Sequence, residues 1–90
     1  MKHISIKIFG KVQGVFFRAS TKDVADQMGI TGFVRNEKDG SVYIEAEGED
    51  ETLTQFVAWC HRGPSRAVVE KVLVKEQAPL QQFNRFEISR

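Results

Sequence analysis

Near the start of the chain Ile4, Ile6 and Ile8 alternate with Ser5 and Lys7, the period-two signal of a strand with one face buried. Gly10 is expected to end it. From about Ala19 to Met28 the period lengthens. Thr21, Val24, Ala25 and Met28 share one face of a helix, and Gly29 is placed to stop it. ITGFVRN then reads as a second strand, and EKDG as a turn with Asp39-Gly40 as its strongest cue. SVYIEAEG reads as a third strand, with Val42, Ile44 and Ala46 on one face and Tyr43, Glu45 and Glu47 on the other. Glu49, Asp50 and Glu51 place negative charge where a helix dipole favours it. Leu53, Phe56, Val57 and Cys60 follow at helical spacing. Gly63 and Pro64 stop that helix, with His61 and Arg62 in its last turn.

AVVEKVLVKE is a fourth strand without clean alternation, which a bulge near Glu70 explains. APLQQ is a loop, and RFEIS a short last strand with Phe86 and Ile88 inward. The order β-α-β-β-α-β plus a short last strand is the split βαβ pattern. The expected fold is therefore α+β and ferredoxin-like, with two helices on one face of an antiparallel-type sheet. His3, Ser5, Lys7, Tyr43, Glu45 and Glu47 would line the open face.

Composition narrows the class. Residues 1–90 make one domain, since the chain has no room for a second core. The formal net charge of +1 argues against a general nucleic-acid binder. One cysteine, Cys60, allows neither an internal disulfide nor a cysteine-rich metal site. The N-terminal run alternates rather than forming an apolar signal core, and no stretch approaches transmembrane length. The expectation is a cytoplasmic monomer.

The chemistry concentrates in GKVQGVFFR, Gly10 to Arg18, which joins the first strand to the first helix. Such a junction presents backbone N–H groups without intrahelical partners, and these suit an anion. Gly14 can take a positive φ, and successive amides of a curled loop can converge into a nest. Arg18 adds a planar charged fork matched to two phosphate oxygens. The stretch is equally compatible with a plain glycine turn followed by a surface arginine. It is neither a P-loop nor a Rossmann fingerprint. Asn36 ends the second strand. That strand runs parallel to the first in the split βαβ arrangement, so Asn36 falls on the same sheet edge as the connector. Its amide can hold and orient a water, or simply start the turn.

Together, GKVQGVFFR and GFVRNEKDGSVYIEAEG resemble the acylphosphatase family, over nearly the whole chain. The resemblance implies hydrolysis of the carboxyl-phosphate bond of small acyl phosphates, giving a carboxylate and inorganic phosphate. It implies no cofactor, no metal and no covalent phosphoenzyme. The family's arginine falls on Arg18, its asparagine on Asn36, and its phosphate-binding amides on Gly14, Val15, Phe16, Phe17 and Arg18. A non-catalytic anion-binding module and an RNA-binding module are the alternatives, the second poorly served by a strand whose one aromatic, Tyr43, is followed by Glu45 and Glu47. Partners other than the small-molecule substrate are not expected, nor is a membrane. His3 and His61 read as solvated or structural, Cys60 as core packing, and Trp59 as the rim of its stripe. Glu45 and Glu47 read as solvated surface.

Overall fold

The three isoleucines set the centre of the sheet. The computed structural model describes residues 1–79 and 83–89. The elements are β1 (Lys2–Lys11), α1 (Phe17–Met28), β2 (Thr31–Asn36), β3 (Val42–Gly48), α2 (Asp50–Cys60), β4 (Val68–Gln77) and β5 (Phe86–Ile88). They form one five-stranded sheet in the order β4-β1-β3-β2-β5. β1 pairs antiparallel with both β3 and β4, and β2 with β3, whereas β5 lies parallel to β2. The sheet is therefore mixed, and the ferredoxin-like order of elements holds.

Ile4, Ile6 and Ile8 stand opposite Ala46, Ile44 and Val42 on β3, and all six side chains are buried. Both helices cover this face. α1 buries Phe17, Thr21 and Ala25, spaced four residues apart, and α2 buries Leu53, Phe56 and Cys60. Each fully buried large apolar side chain contributes about 1.5–3 kcal/mol. Gly29 closes α1 in the left-handed region, with its N–H on Ala25 O and Asp26 O. Trp59 bridges the two helices, its ring centroid 5.6 Å from that of Phe17. Burial pushes the Cys60 thiol up, which leaves it an inert packing group.

Several details differ from the expectation. β1 runs through Gly10 to Lys11 rather than stopping at the glycine. α1 begins at Phe17, two residues before Ala19, because its first turn is built by the connector itself. His61 and Arg62 lie in the turn beyond α2. The register between β1 and β4 slips between Phe9 and Gly10, which pair with Lys71 and Val69. Glu70 is thus the extra residue of a bulge. Past it, Val72, Val74 and Glu76 oppose Ile8, Ile6 and Ile4 and share the helix-facing side. In the expected APLQQ loop, Leu80, Gln81 and Gln82 lie outside the described residues. In β5, Phe86 is buried but Ile88 is exposed, since that strand's end projects past the core.

The face opposite the helices is not open. His3 and Glu47 are each only 1 % exposed, and Ser5 is buried beside them. Phe83 roofs this face, its ring edge-on to both His3 and Phe33. His3 Nε2 lies 2.9 Å from Glu45 Oε1 and Nδ1 lies 3.2 Å from Ala78 O, while Tyr43 donates its hydroxyl to Glu45. The reading of Glu47 as solvated surface is thereby corrected. Strand alternation places it on this face, but a later segment supplies the cover. Among the described residues no group of His, Cys, Asp and Glu is arranged to hold a metal ion.

Gly32 allows β2 to approach β3. Its φ is +143°, and a Cβ there would sit 1.9 Å from Glu45 O. Gly32→Ala therefore separates two paired strands. Urea denaturation is expected to show a loss of at least about 2 kcal/mol, whereas a loss under about 0.5 kcal/mol would mean the pairing is not that close.

Candidate active site

The connector between β1 and α1 divides its side chains by side. Val12, Val15 and Phe17 are buried in the core, while Gly14 and Phe16 are exposed. Gly14 (φ 74°) and Phe16 (φ 65°) both adopt the left-handed region. Two such residues, with one residue between them, curl the main chain. Phe16 is the only non-glycine residue there among those described, and a Cβ in that conformation costs roughly 1–2 kcal/mol. It also occupies the N-cap of α1 without a side-chain cap. The first helical hydrogen bond runs from Ser20 N to Phe16 O, at 3.0 Å. The amides of Phe17 and Arg18 precede it and have no helical acceptor. Among the described residues, no backbone or side-chain acceptor takes the amide hydrogens of Gly14, Val15, Phe16, Phe17 or Arg18. These donors carry the positive end of the helix dipole.

One cleft gathers this region. Val12, Gly14, Phe16, Phe17, Arg18 and Ala19 line it from the connector and α1. Asn36 at the end of β2, and Ile88 and Ser89 at the end of β5, line it from the sheet. Arg18 and Asn36 thus meet in one cleft although eighteen positions separate them in sequence. Val15 stands apart: its side chain packs into the core, and only its backbone belongs to the curl. Arg18 has no ion-pair partner among the described residues. Asn36 Oδ1 is shut off from solvent and accepts no hydrogen bond among them. Buried polar atoms normally have partners, which makes this oxygen an exception among the described residues.

Gln13 was not singled out in sequence. Its Nε2 donates both hydrogens, to Glu37 O at 2.8 Å and Ser41 O at 2.9 Å. It thereby ties the curl to the hairpin that follows Asn36. The hairpin is closed by Glu37 N on Ser41 O at 2.8 Å. Asp39 accepts from the Ser41 hydroxyl, from the Ser41 amide and from Lys7, which hold its carboxyl down to about 2. Both acceptors of Gln13 are backbone carbonyls, so no residue type in the hairpin announces the link. Ile88 and Ser89 were likewise missed as cleft residues. The Ser89 N to Val34 O bond of 2.8 Å brings them beside β2.

The family model named acylphosphatase matches residues 4–88. An acylphosphatase of Marinobacter nauticus is 51% identical over 79 residues, covering 88% of this chain and 86% of that one. An acylphosphatase of Methylococcus capsulatus is 42% identical over 90 residues, covering 100% and 98%. The crystal structure of acylphosphatase from Bacillus subtilis superposes with a TM-score of 0.96 at 36% identity, over 100% of both chains. The chain belongs to the acylphosphatase family, enzymes that hydrolyse acyl phosphates.

Gln13→Met keeps the length of the side chain and removes both donors. It is expected to cost about 1–3 kcal/mol in urea denaturation. Gln13→Glu should cost more at neutral pH than at pH of about 4, where the protonated carboxyl returns one donor. A variant equally destabilised at both values, after correction for the parent, would show that the two bonds contribute nothing specific.

Proposed function

We propose that the amides of Gly14, Val15, Phe16, Phe17 and Arg18, with the Arg18 guanidinium, grip the phosphoryl group of an acyl phosphate, and that Asn36 positions the attacking water. The observation that carries this reading is the set of five amide donors at a helix N-terminus that find no acceptor among the described residues, beside an arginine that finds no ion-pair partner among them, in one cleft. A tetrahedral anion is the ligand such an arrangement suits. The partnerless Asn36 oxygen, at the same cleft, supports a polar guest next to the phosphate.

The reaction then runs as a single in-line displacement. Water oxygen bonds to phosphorus as the bond from phosphorus to the carboxyl oxygen breaks. The electron pair leaves with the carboxylate, and a phosphate oxygen takes the proton of the water. A loose phosphoryl transition state spreads charge over three equatorial oxygens, so preorganised donors supply most of the catalysis. The leaving carboxylate is a weak base and departs without a general acid. Among the described residues, Arg18 is the only acidic or basic side chain lining the cleft, which fits that requirement.

The RNA-binding alternative is disfavoured where His3 lies buried with Phe83 edge-on to its ring, which takes that part of the sheet face out of reach of a base. No described helix is long and apolar enough to cross a membrane. The protein would act on small molecules as a cytoplasmic monomer.

Benzoyl phosphate hydrolysis, with inorganic phosphate as a competitive inhibitor, separates the two roles. Arg18→Ala should lose about 10²–10³ in rate and bind phosphate more weakly. Arg18→Lys should recover little, because a point charge does not reproduce the fork. Unaltered phosphate inhibition in Arg18→Ala would remove the arginine from the cradle. For Asn36→Ala, kcat should fall while phosphate inhibition changes much less. Full turnover in that variant would exclude water positioning.

A further inference from the structure

We propose that Phe16 and Ile88 form an apolar rim that receives the acyl part of the substrate, so that the enzyme favours acyl phosphates with apolar, above all aromatic, acyl groups. The proposal rests on the phosphate site inferred above and extends it from the phosphoryl group to its leaving group.

Phe16 is 70 % exposed and Ile88 41 % exposed, and both line the cleft that holds Arg18 and Asn36. The strand end that projects past the core accounts for the exposure of Ile88, but nothing in the fold accounts for that of Phe16. The curl needs a left-handed residue at position 16, but glycine or asparagine would meet that need with less strain. A phenyl group there adds no helix cap and pairs with no other ring among the described residues. Strained, solvent-facing residues of this kind concentrate at ligand sites. Ile88 follows the buried Phe86 on the same side of β5, yet lies past the core, at the mouth of the cleft.

The cleft has a volume of about 750 Å³. That falls within the roughly 300–1,000 Å³ usual for small-molecule sites and exceeds what a phosphoryl group alone requires. Apart from Arg18, its described lining bears no charge, with Asn36 and Ser89 as the other polar side chains. With the phosphate on the amides and Arg18, the rest of the substrate must leave through apolar walls. A methyl group presents little surface to them, whereas a phenyl group presents a face. Burying that surface favours the larger group.

The test is the ratio of kcat/KM for benzoyl phosphate to that for acetyl phosphate, in the parent protein and in Phe16→Asn and Ile88→Ser. Asparagine tolerates the left-handed backbone, so it keeps the curl while deleting the ring. The parent ratio should exceed one after correction for intrinsic reactivity, and each variant should lower it by about tenfold. An unchanged ratio in either variant overturns the two-sided rim. A parallel fall for both substrates in Phe16→Asn also overturns it, since that result assigns the ring to the shape of the curl. Competitive inhibition by inorganic phosphate in the parent reports on the phosphate site separately. Its absence would remove that site, whereas an unchanged ratio with inhibition intact removes only the rim.

Discussion

A run of amide hydrogens that find no acceptor among the described residues is the constraint around which the rest is arranged. A folded chain normally pairs its main-chain donors, and an unpaired one costs free energy unless water or a ligand meets it. Here the curl from Gly14 to Arg18 is held open from behind. Val12, Val15 and Phe17 are sunk in the core, and Phe17 lies against Trp59 of α2. Core burial on one side of the loop stabilises a backbone whose other side offers only donors. The left-handed φ of Phe16 persists because those buried neighbours fix the chain on both flanks.

Topology brings the second half of the site to the first. β1 and β2 are both antiparallel to β3 and therefore run the same way. Their C-terminal ends emerge on one edge, where the curl follows β1 and Asn36 ends β2. Gln13 converts that proximity into a fixed separation, since both its hydrogens are used on hairpin carbonyls. β5, parallel to β2, extends the same edge and carries Ile88 and Ser89 to the cleft. No single segment holds the site. It exists where three strand ends and one helix start meet.

Much of this is written in local periods. The isoleucines of β1, the valine and isoleucine of β3 and the stripes of both helices announce their buried faces directly. β4 lost its alternation for a physical reason, because the bulge at Glu70 shifts the parity of every residue before it. That Arg18 and Asn36 would come together at one end of the sheet was legible through topology, and both line the same cleft. The burial of His3 was not legible, because Phe83, beyond a stretch without periodicity, packs edge-on to its ring, and neither was that of Glu47 beside it. Gln13 was hidden because backbone carbonyls leave no trace in residue type. The conformation of Phe16 was hidden because a bulky aromatic is not expected at a left-handed position.

The division of charge in the molecule follows from the same chemistry. His3, Glu45 and Glu47 pair within the roofed sheet face, and Asp39 is engaged by Ser41 and Lys7. None of these carboxylates lines the cleft. A carboxylate there would repel the phosphoryl dianion and would compete for the same amides and for Arg18. Among the described residues no carboxylate lines the cleft, so in the proposed mechanism the guanidinium and the helix dipole would act on the ligand without opposition. The groups that gain or lose protons as the bond to phosphorus breaks are then those of the substrate and the attacking water. For an acyl phosphate this suffices, because the departing carboxylate is stable without a proton. An ester phosphate would expel an alkoxide, which needs one, and no described side chain in the cleft is suited to give it.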